Sequence, residues 1–332
     1  MLQRALACVL IVWMGIPTAL GTTQISDEAR IYVEAALDVM QDHSILRYEI
    51  DWPELREEAL LRASRAESLR ETYDAIRWAL RTLGDGHSRF LTPEEVDALT
   101  SAAPEGSSVP EGELLSPAIG RVRVPGFAGS EEGARTYAQT LQEVLCGLSS
   151  VGVRGWIVDL RSNTGGDFWA MLVGLGPLLG EGACGAFVGP DGDEAPWSYA
   201  DGAARVDAEV QLALSSDEVC PVFDPLPPAA VLIGQETASA GEAVSVAFVG
   251  RPEVRLFGYV TAGLSTANES FTLCDGAMIL LATSSCADRE GTVYGSVIGP
   301  NEYSSARGVA DGTDPVLDAA VEWLEAKIAS DE

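Results

Sequence analysis

Apolar positions along this chain change their spacing twice. From residue 26 to residue 83 they recur every three or four residues, as in Val33, Leu37 and Met40, and again in Leu69, Tyr73, Ile76, Leu80 and Leu83. That period puts them on one face of an α-helix. Ser26 stands at an N-cap position, followed by Asp27 and Glu28, which the helix dipole favours in a first turn. Asp51-Trp52-Pro53 opens a second helix with proline where its missing N–H does no harm. Gly84 closes a third as a C-cap, and Thr92-Pro93-Glu94-Glu95 reads as a capping box. Residues 101–117 lose all period and have linker composition, rich in Ser, Ala, Pro, Glu and Gly. Beyond them, short continuous apolar runs alternate with helical ones. Ile119–Val124, Trp156–Leu160 and Ala229–Ile233 predict strands, as do Val254–Phe257, Ser270–Leu273 and Met278–Thr283. Helices are predicted over 130–148, from about Phe168, near 240–249 and over 315–328. Residues 181–228, rich in Gly, Pro and Asp, predict irregular structure. Strands alternating with helices indicate an α/β core with parallel elements.

Charge removes several function classes. Fifty Asp and Glu against 21 Lys and Arg leave −29 over 332 residues. Such a surface repels nucleic-acid phosphates and anionic lipid. Lys327 is the only lysine, so lysine chemistry elsewhere is excluded, and His43 and His87 are too few for a multi-histidine zinc site. No metal or cofactor is expected. Residues 1–21 carry Arg4, an apolar run ending at Pro17, and small residues before Thr22. They read as a cleaved secretory signal, predicting an exported protein without a membrane span after cleavage. Export favours disulfides. Cys274 and Cys286, in neighbouring predicted strands, are expected to pair. Cys184 and Cys220 bracket residues 181–228 and could staple them. Cys146 falls on an apolar helix face, as a buried free thiol would.

Three segments could carry chemistry. In Gly84-Asp85-Gly86-His87-Ser88-Arg89 a histidine sits in a glycine-flanked loop between a helix and a strand. In Asp159-Leu160-Arg161-Ser162-Asn163-Thr164-Gly165-Gly166 a buried strand runs into a glycine pair, whose N–H groups can face a developing oxyanion. In Thr237-Ala238-Ser239-Ala240-Gly241-Glu242 a serine stands at a helix N-terminus among small residues, where the dipole favours an alkoxide. Each segment alone also has a purely structural reading: a turn, a glycine-dependent bend, an N-cap.

Together and in this order, the three segments resemble the tail-specific, or C-terminal processing, serine protease family, which includes the tricorn core protease. Leu256-Phe257-Gly258-Tyr259-Val260-Thr261-Ala262-Gly263 and Asp275-Gly276 are similar to further family motifs. Ile298-Gly299-Pro300-Asn301 resembles a late I-x-P-D motif with Asn in place of Asp, and Asp314-Pro315 precedes the closing helix. The resemblance implies a helical N-terminal subdomain (22–100) ending in the His87 loop, a linker (101–117) too short for the PDZ domain of many relatives, and a crotonase/ClpP-like core of mixed sheet and packed helices (118–332).

Processing proteases of this family use a Ser–Lys dyad, but Leu264 stands at the lysine position here. The tricorn-like branch implies Ser239 as nucleophile and His87 as base. Imidazole titrates near neutrality, which suits that work. Gly165, Gly166 and Ala240 would supply the oxyanion hole. Candidates for orienting the histidine or binding substrate are Ser88, Glu242, Glu302 and Arg161. Glu242 and Glu302 also read as solvated surface acids, and Arg89 lies near the site as well. The implied substrate is a peptide or protein. The alternatives are a non-catalytic binder of peptide or apolar ligand, a Ser–His esterase or amidase, and an acyl-CoA enzyme. The sequence is silent on oligomeric state.

Overall fold

A computed structural model describes residues 24–100, 109–303 and 313–330. The expected signal segment lies outside the described residues, as does the first part of the linker. The N-terminal segment forms Asp27–His43 (α1), Trp52–Arg62 (α2) and Tyr73–Leu83 (α3). Ser26 Oγ accepts the Ala29 N–H at 3.2 Å and Asp51 Oδ1 accepts that of Glu54 at 3.1 Å, capping α1 and α2. Gly84 ends α3 at φ +87°, a conformation costly for other residues. The strand Arg89–Leu91 (β1) and helix Pro93–Thr100 (α4) follow.

The core begins with Glu111–Ser116 (β2), Ile119–Arg123 (β3), Glu131–Ser150 (α5), Gly155–Asp159 (β4) and Phe168–Leu179 (α6). It continues through Gly182–Val188 (β5), Glu194–Ala200 (β6), Ala203–Val206 (β7), Glu209–Ala213 (β8), Ala229–Ile233 (β9) and Ala240–Phe248 (α7). It closes with Val254–Gly258 (β10), Thr266–Thr272 (β11), Met278–Ala287 (β12), Val293–Tyr294 (β13), Glu302–Tyr303 (β14) and Pro315–Ser330 (α8).

One sheet has the order β14-β10-β9-β4-β3-β2, parallel except for β2. Helices cover both faces, which is why β4 and β9 are apolar at every position but the last of β4. Val122, Val158, Val231 and Leu256 pack toward α5, α6 and α7. The alternate residues Ile119, Ile157, Leu232 and Phe257 pack against Val316, Ala320 and Leu324 of α8. A second, antiparallel sheet runs β1-β12-β5-β6-β7-β8, with β11 and β13 also on β12. The N-terminal helices do not bury their apolar stripes only on each other. Val33, Leu37, Ile76 and Leu80 share a cluster with Leu273, Ala277, Ile279 and Leu281 of the β11–β12 hairpin. At its edge Tyr32 and Tyr73 donate their hydroxyls to the two oxygens of Asp275, at 2.8 and 2.6 Å. The His87 loop thereby docks against the core.

Three expectations are corrected. Residues 181–228 are largely ordered as the β5–β8 meander, with Trp197 and Tyr199 buried. Its strands are short and interrupted by Gly185, Pro196 and register slips, which hid their period. The later part of the expected linker is the edge strand β2. The disulfide is Cys146–Cys220, with Cα atoms 5.9 Å apart, and Cys184, Cys274 and Cys286 are free. Gln142, one turn before Cys146 on α5, accepts the Cys220 N–H at 2.7 Å and anchors the loop there. Cys274 lies in the turn of the β11–β12 hairpin and Cys286 near its far end. At about 3.4 Å per residue the eight residues from Met278 to Cys286 separate them by roughly 27 Å, beyond disulfide reach.

Candidate active site

The site lies outside the carboxyl ends of β4 and β9, where open parallel sheets bind ligands. After β9 the chain turns through Ser239 into α7. Ser239 has φ 53° and ψ −119°, a rare backbone conformation for a residue with a side chain. The neighbouring glycines make room for it. A Cβ on Gly165 would stand 2.8 Å from Ser239 Cβ, and one on Gly241 would stand 2.8 Å from Asn163 O and Oδ1. A Cβ on Gly166, at φ +118°, would meet Phe127 O at 1.8 Å. Asn163 holds the two turns together. Its carbonyl accepts the Ala238 N–H, its Oδ1 accepts the Gly165 N–H at 2.9 Å, and its Nδ2 donates to Val124 O at 2.9 Å. Gly165 is therefore engaged and cannot serve as an oxyanion donor, contrary to expectation. The Gly166 and Ala240 N–H groups make no hydrogen bond among the described residues.

His87 arrives from the N-terminal segment. Its Nε2 is 2.9 Å from Ser239 Oγ and its Nδ1 is 2.7 Å from Thr266 Oγ1. Asp85 shapes the loop: Oδ1 accepts the N–H groups of His87 and Ser88 at 2.7 and 2.6 Å, an Asx turn. Burial of the ring, then the nearby Arg89 guanidinium, lower the His87 pKa to about 4, against an opposing pull from Asp85. The imidazole is neutral across the physiological range, whereas the sequence suggested titration near neutrality.

Glu242 is fully buried, not solvated. It accepts Ser239 N–H at 3.1 Å, Thr261 Oγ1–H at 2.5 Å, Gly263 N–H at 3.0 Å and Leu264 N–H at 2.6 Å. Burial raises its pKa despite those donors. It thus ties the Ser239 turn to the segment after β10 and makes no hydrogen bond to His87 among the described residues. The other candidates are engaged elsewhere. Ser88 Oγ donates to Asp85 Oδ2 at 2.7 Å and accepts the Ala282 N–H at 2.9 Å, which pins the loop to β12. The Arg161 guanidinium is held by Asp159 at 2.7–2.9 Å and by both oxygens of Asp314 at 2.8 Å, so it joins β4 to the start of α8. Glu302 pairs with Arg255 at 3.5 Å on the edge strand β14. Sequence reasoning missed Asp85, Asn163 and Thr266. The first two had a signal, since Asp and Asn beside glycine favour side-chain-to-backbone turns. Thr266 had none.

A cleft of about 1370 Å³ opens beside the serine, lined by His87, Ser239, Ala240, Gly166 and Thr266. Phe168, Trp169 and Phe187 add an aromatic wall, with ring centroids 5.0–6.2 Å apart. Seven carboxylates line it as well, against the cations Arg47 and Arg89. Arg47 is paired with Asp191, and Arg89 makes no ion pair among the described residues.

Comparison with known proteins places this chain in a family. Residues 118–301 match the model of peptidase family S41. The Nisin-resistance protein of Lactococcus lactis subsp. lactis is 26% identical over 300 residues, 90% of this chain and 87% of that one. A lipoprotein from Streptococcus agalactiae superposes with a TM-score of 0.75 at 25% identity, covering 90% of this chain and 96% of that one. The photosystem II D1 C-terminal processing protease shares the fold at a TM-score of 0.60 and 17% identity, covering 89% and 98%. With a serine strained at a helix N-terminus, a histidine against its hydroxyl and a family match over most of the core, this chain belongs to peptidase family S41 and is a serine peptidase.

Proposed function

We propose that Ser239 is the nucleophile and His87 the general base of an exported peptidase. The observation that carries this reading is the 2.9 Å approach of His87 Nε2 to Ser239 Oγ, within proton-transfer reach. Ser239 Oγ attacks a peptide carbonyl as its proton passes to Nε2. The oxyanion forms against the N–H groups of Gly166 and Ala240, with the α7 dipole behind them. The imidazolium then gives its proton to the leaving amine, and water releases the acyl group by the same route in reverse. No lysine takes part, since Leu264 occupies the family's lysine position and its N–H serves Glu242.

The substrate is an extended peptide. Seven carboxylates around the cleft, Asp42, Asp167, Asp191, Asp193, Asp207, Glu209 and Glu269, favour one carrying Lys or Arg near the scissile bond. The likeness to a protein named for nisin resistance makes nisin the first peptide to try. Export is supported by the signal-like residues 1–21, by the disulfide and by the likeness to a lipoprotein. We read the chain as a helical segment, 22–100, followed by a core that takes in β2 (Glu111–Ser116) ahead of the expected boundary at 118, joined without a PDZ domain.

Fluorophosphonate labelling of the purified protein, with the modified peptide mapped by mass spectrometry, tests the pair. Label on Ser239 is expected, and its loss in folded Ser239→Ala and His87→Ala. A folded protein that takes no label there, or labels equally well without His87, refutes the assignment and turns attention to a binding module on this fold.

A further inference from the structure

In a Ser–His–Asp triad a carboxylate holds the second ring nitrogen of the histidine, fixing the tautomer and stabilising the imidazolium. Here that nitrogen faces a hydroxyl: Nδ1 lies 2.7 Å from Thr266 Oγ1. Two residues on, Asn268 Nδ2 donates to the His87 carbonyl at 3.3 Å. Both belong to β11, whose register against β12 slips between Ala267 and Asn268. Bulges of this kind re-aim side chains beside active sites. This one lets a single strand hold His87 by its ring and by its main chain.

Resting on the Ser239–His87 reading above, we infer that Thr266 is the positioning residue of the pair, its hydroxyl accepting the Nδ1–H so that the Nε2 lone pair faces Ser239 Oγ. The direction matters. A threonine donating to Nδ1 would leave the proton on Nε2 and the pair inert, an ambiguity that a carboxylate does not have. The arrangement also places no negative charge on the ring. The titratable and charged groups around it are Asp85 of its own loop and Arg89 of β1, with Asp42 and His43 of α1, Asp167 after the glycine pair and Glu269 of β11 on the same cleft. Cys286 of β12 lines the cleft as a buried thiol, and Glu242 of α7 is turned toward residues 261–264. Buried, beside Arg89 and with a neutral partner in place of a carboxylate, the base stays unprotonated well into acid, so reactivity extends below the pH at which an ordinary triad fades.

The experiment is the second-order rate of fluorophosphonate labelling at Ser239, measured from pH 4 to pH 8 with thermal unfolding in parallel. Thr266→Val is expected to label about 10²-fold more slowly, the equivalent of one hydrogen bond to a group that becomes charged. Thr266→Ser restores the rate to within roughly threefold, as expected if only the hydroxyl matters. Thr266→Asp, a carboxylate on the same nitrogen, moves the acid limb upward by about one pH unit or more. Wild-type rate and acid limb in Thr266→Val overturn the inference while Ser239→Ala stays unlabelled. Labelling that persists in Ser239→Ala refutes the underlying pair instead. If Thr266→Val does not fold, Thr266→Asp decides, and an unmoved acid limb overturns the inference.

Discussion

A buried neutral histidine couples folding to pH in a way that can be isolated. The His87 ring is 2% exposed, and its pKa falls from 6.5 to about 4, mainly through burial and secondarily through Arg89. The unfolded chain therefore binds a proton at this side chain between about pH 6.5 and pH 4 that the folded chain refuses. Stability rises with pH wherever the unfolded state holds more protons. The contribution of His87 is thus complete above pH 6.5 and lost progressively as pH falls through that window. At about 1.36 kcal/mol per tenfold change in proton affinity, the loss by pH 4 is roughly 3 kcal/mol. Many other groups titrate in the same range, so the comparison must be with a variant that lacks only this one. His87→Gln keeps a polar side chain of similar length and cannot take up the proton. Urea unfolding of both proteins at half-unit steps from pH 7 to pH 4 isolates the difference. The wild type is expected to lose roughly 3 kcal/mol more than the variant across that range. Parallel curves would mean that His87 titrates normally in the folded protein and that its burial carries no electrostatic penalty.

Two further outcomes follow from packing. Gly165→Ala puts a Cβ within 2.8 Å of Ser239 Cβ at a backbone φ of +102°, so labelling of Ser239 is expected to fall at least about 10²-fold. An active Gly165→Ala would show that the Ser239 turn is not held rigidly by its neighbour. Reduction of Cys146–Cys220, which spans 74 residues, is expected to cost about 3–4 kcal/mol of stability, read as a lowered Tm with five titratable thiols in a chain lacking residues 1–21. An unchanged Tm under reductant would place the stability of the meander in its aromatic packing instead.

Much of the fold was legible because its governing signals are local. Caps at Ser26 and Asp51, the C-cap at Gly84 and the unbroken apolar runs of β4 and β9 need only neighbouring residues to be read. The His87 loop, the glycine pair and Ser239 were legible as segments for the same reason. What was hidden depends on contacts between distant residues. Thr266 meets His87 across 179 positions, and β11 begins four residues before the predicted strand, so its alternation never pointed there. Cys146 pairs across 74 positions along a route set by Gln142. Glu242 carried an acid's label in a chain of fifty acids. Only the fold reveals that four donors converge on it.

The split origin of the proposed pair bears on when the enzyme becomes active. His87 belongs to the segment made first, and its loop is held by Ala282, Asn268 and Thr266, all made much later. Ser239 reaches its strained turn only when Glu242 can collect Thr261, Gly263 and Leu264. A chain ending before about residue 280 thus lacks partners that hold both members of the proposed pair. The β11–β12 hairpin, with Asp275 gripped by Tyr32 and Tyr73, supplies those partners. The site is thus a property of the whole fold, because the last quarter of the chain completes the contacts on which both members of the proposed pair depend.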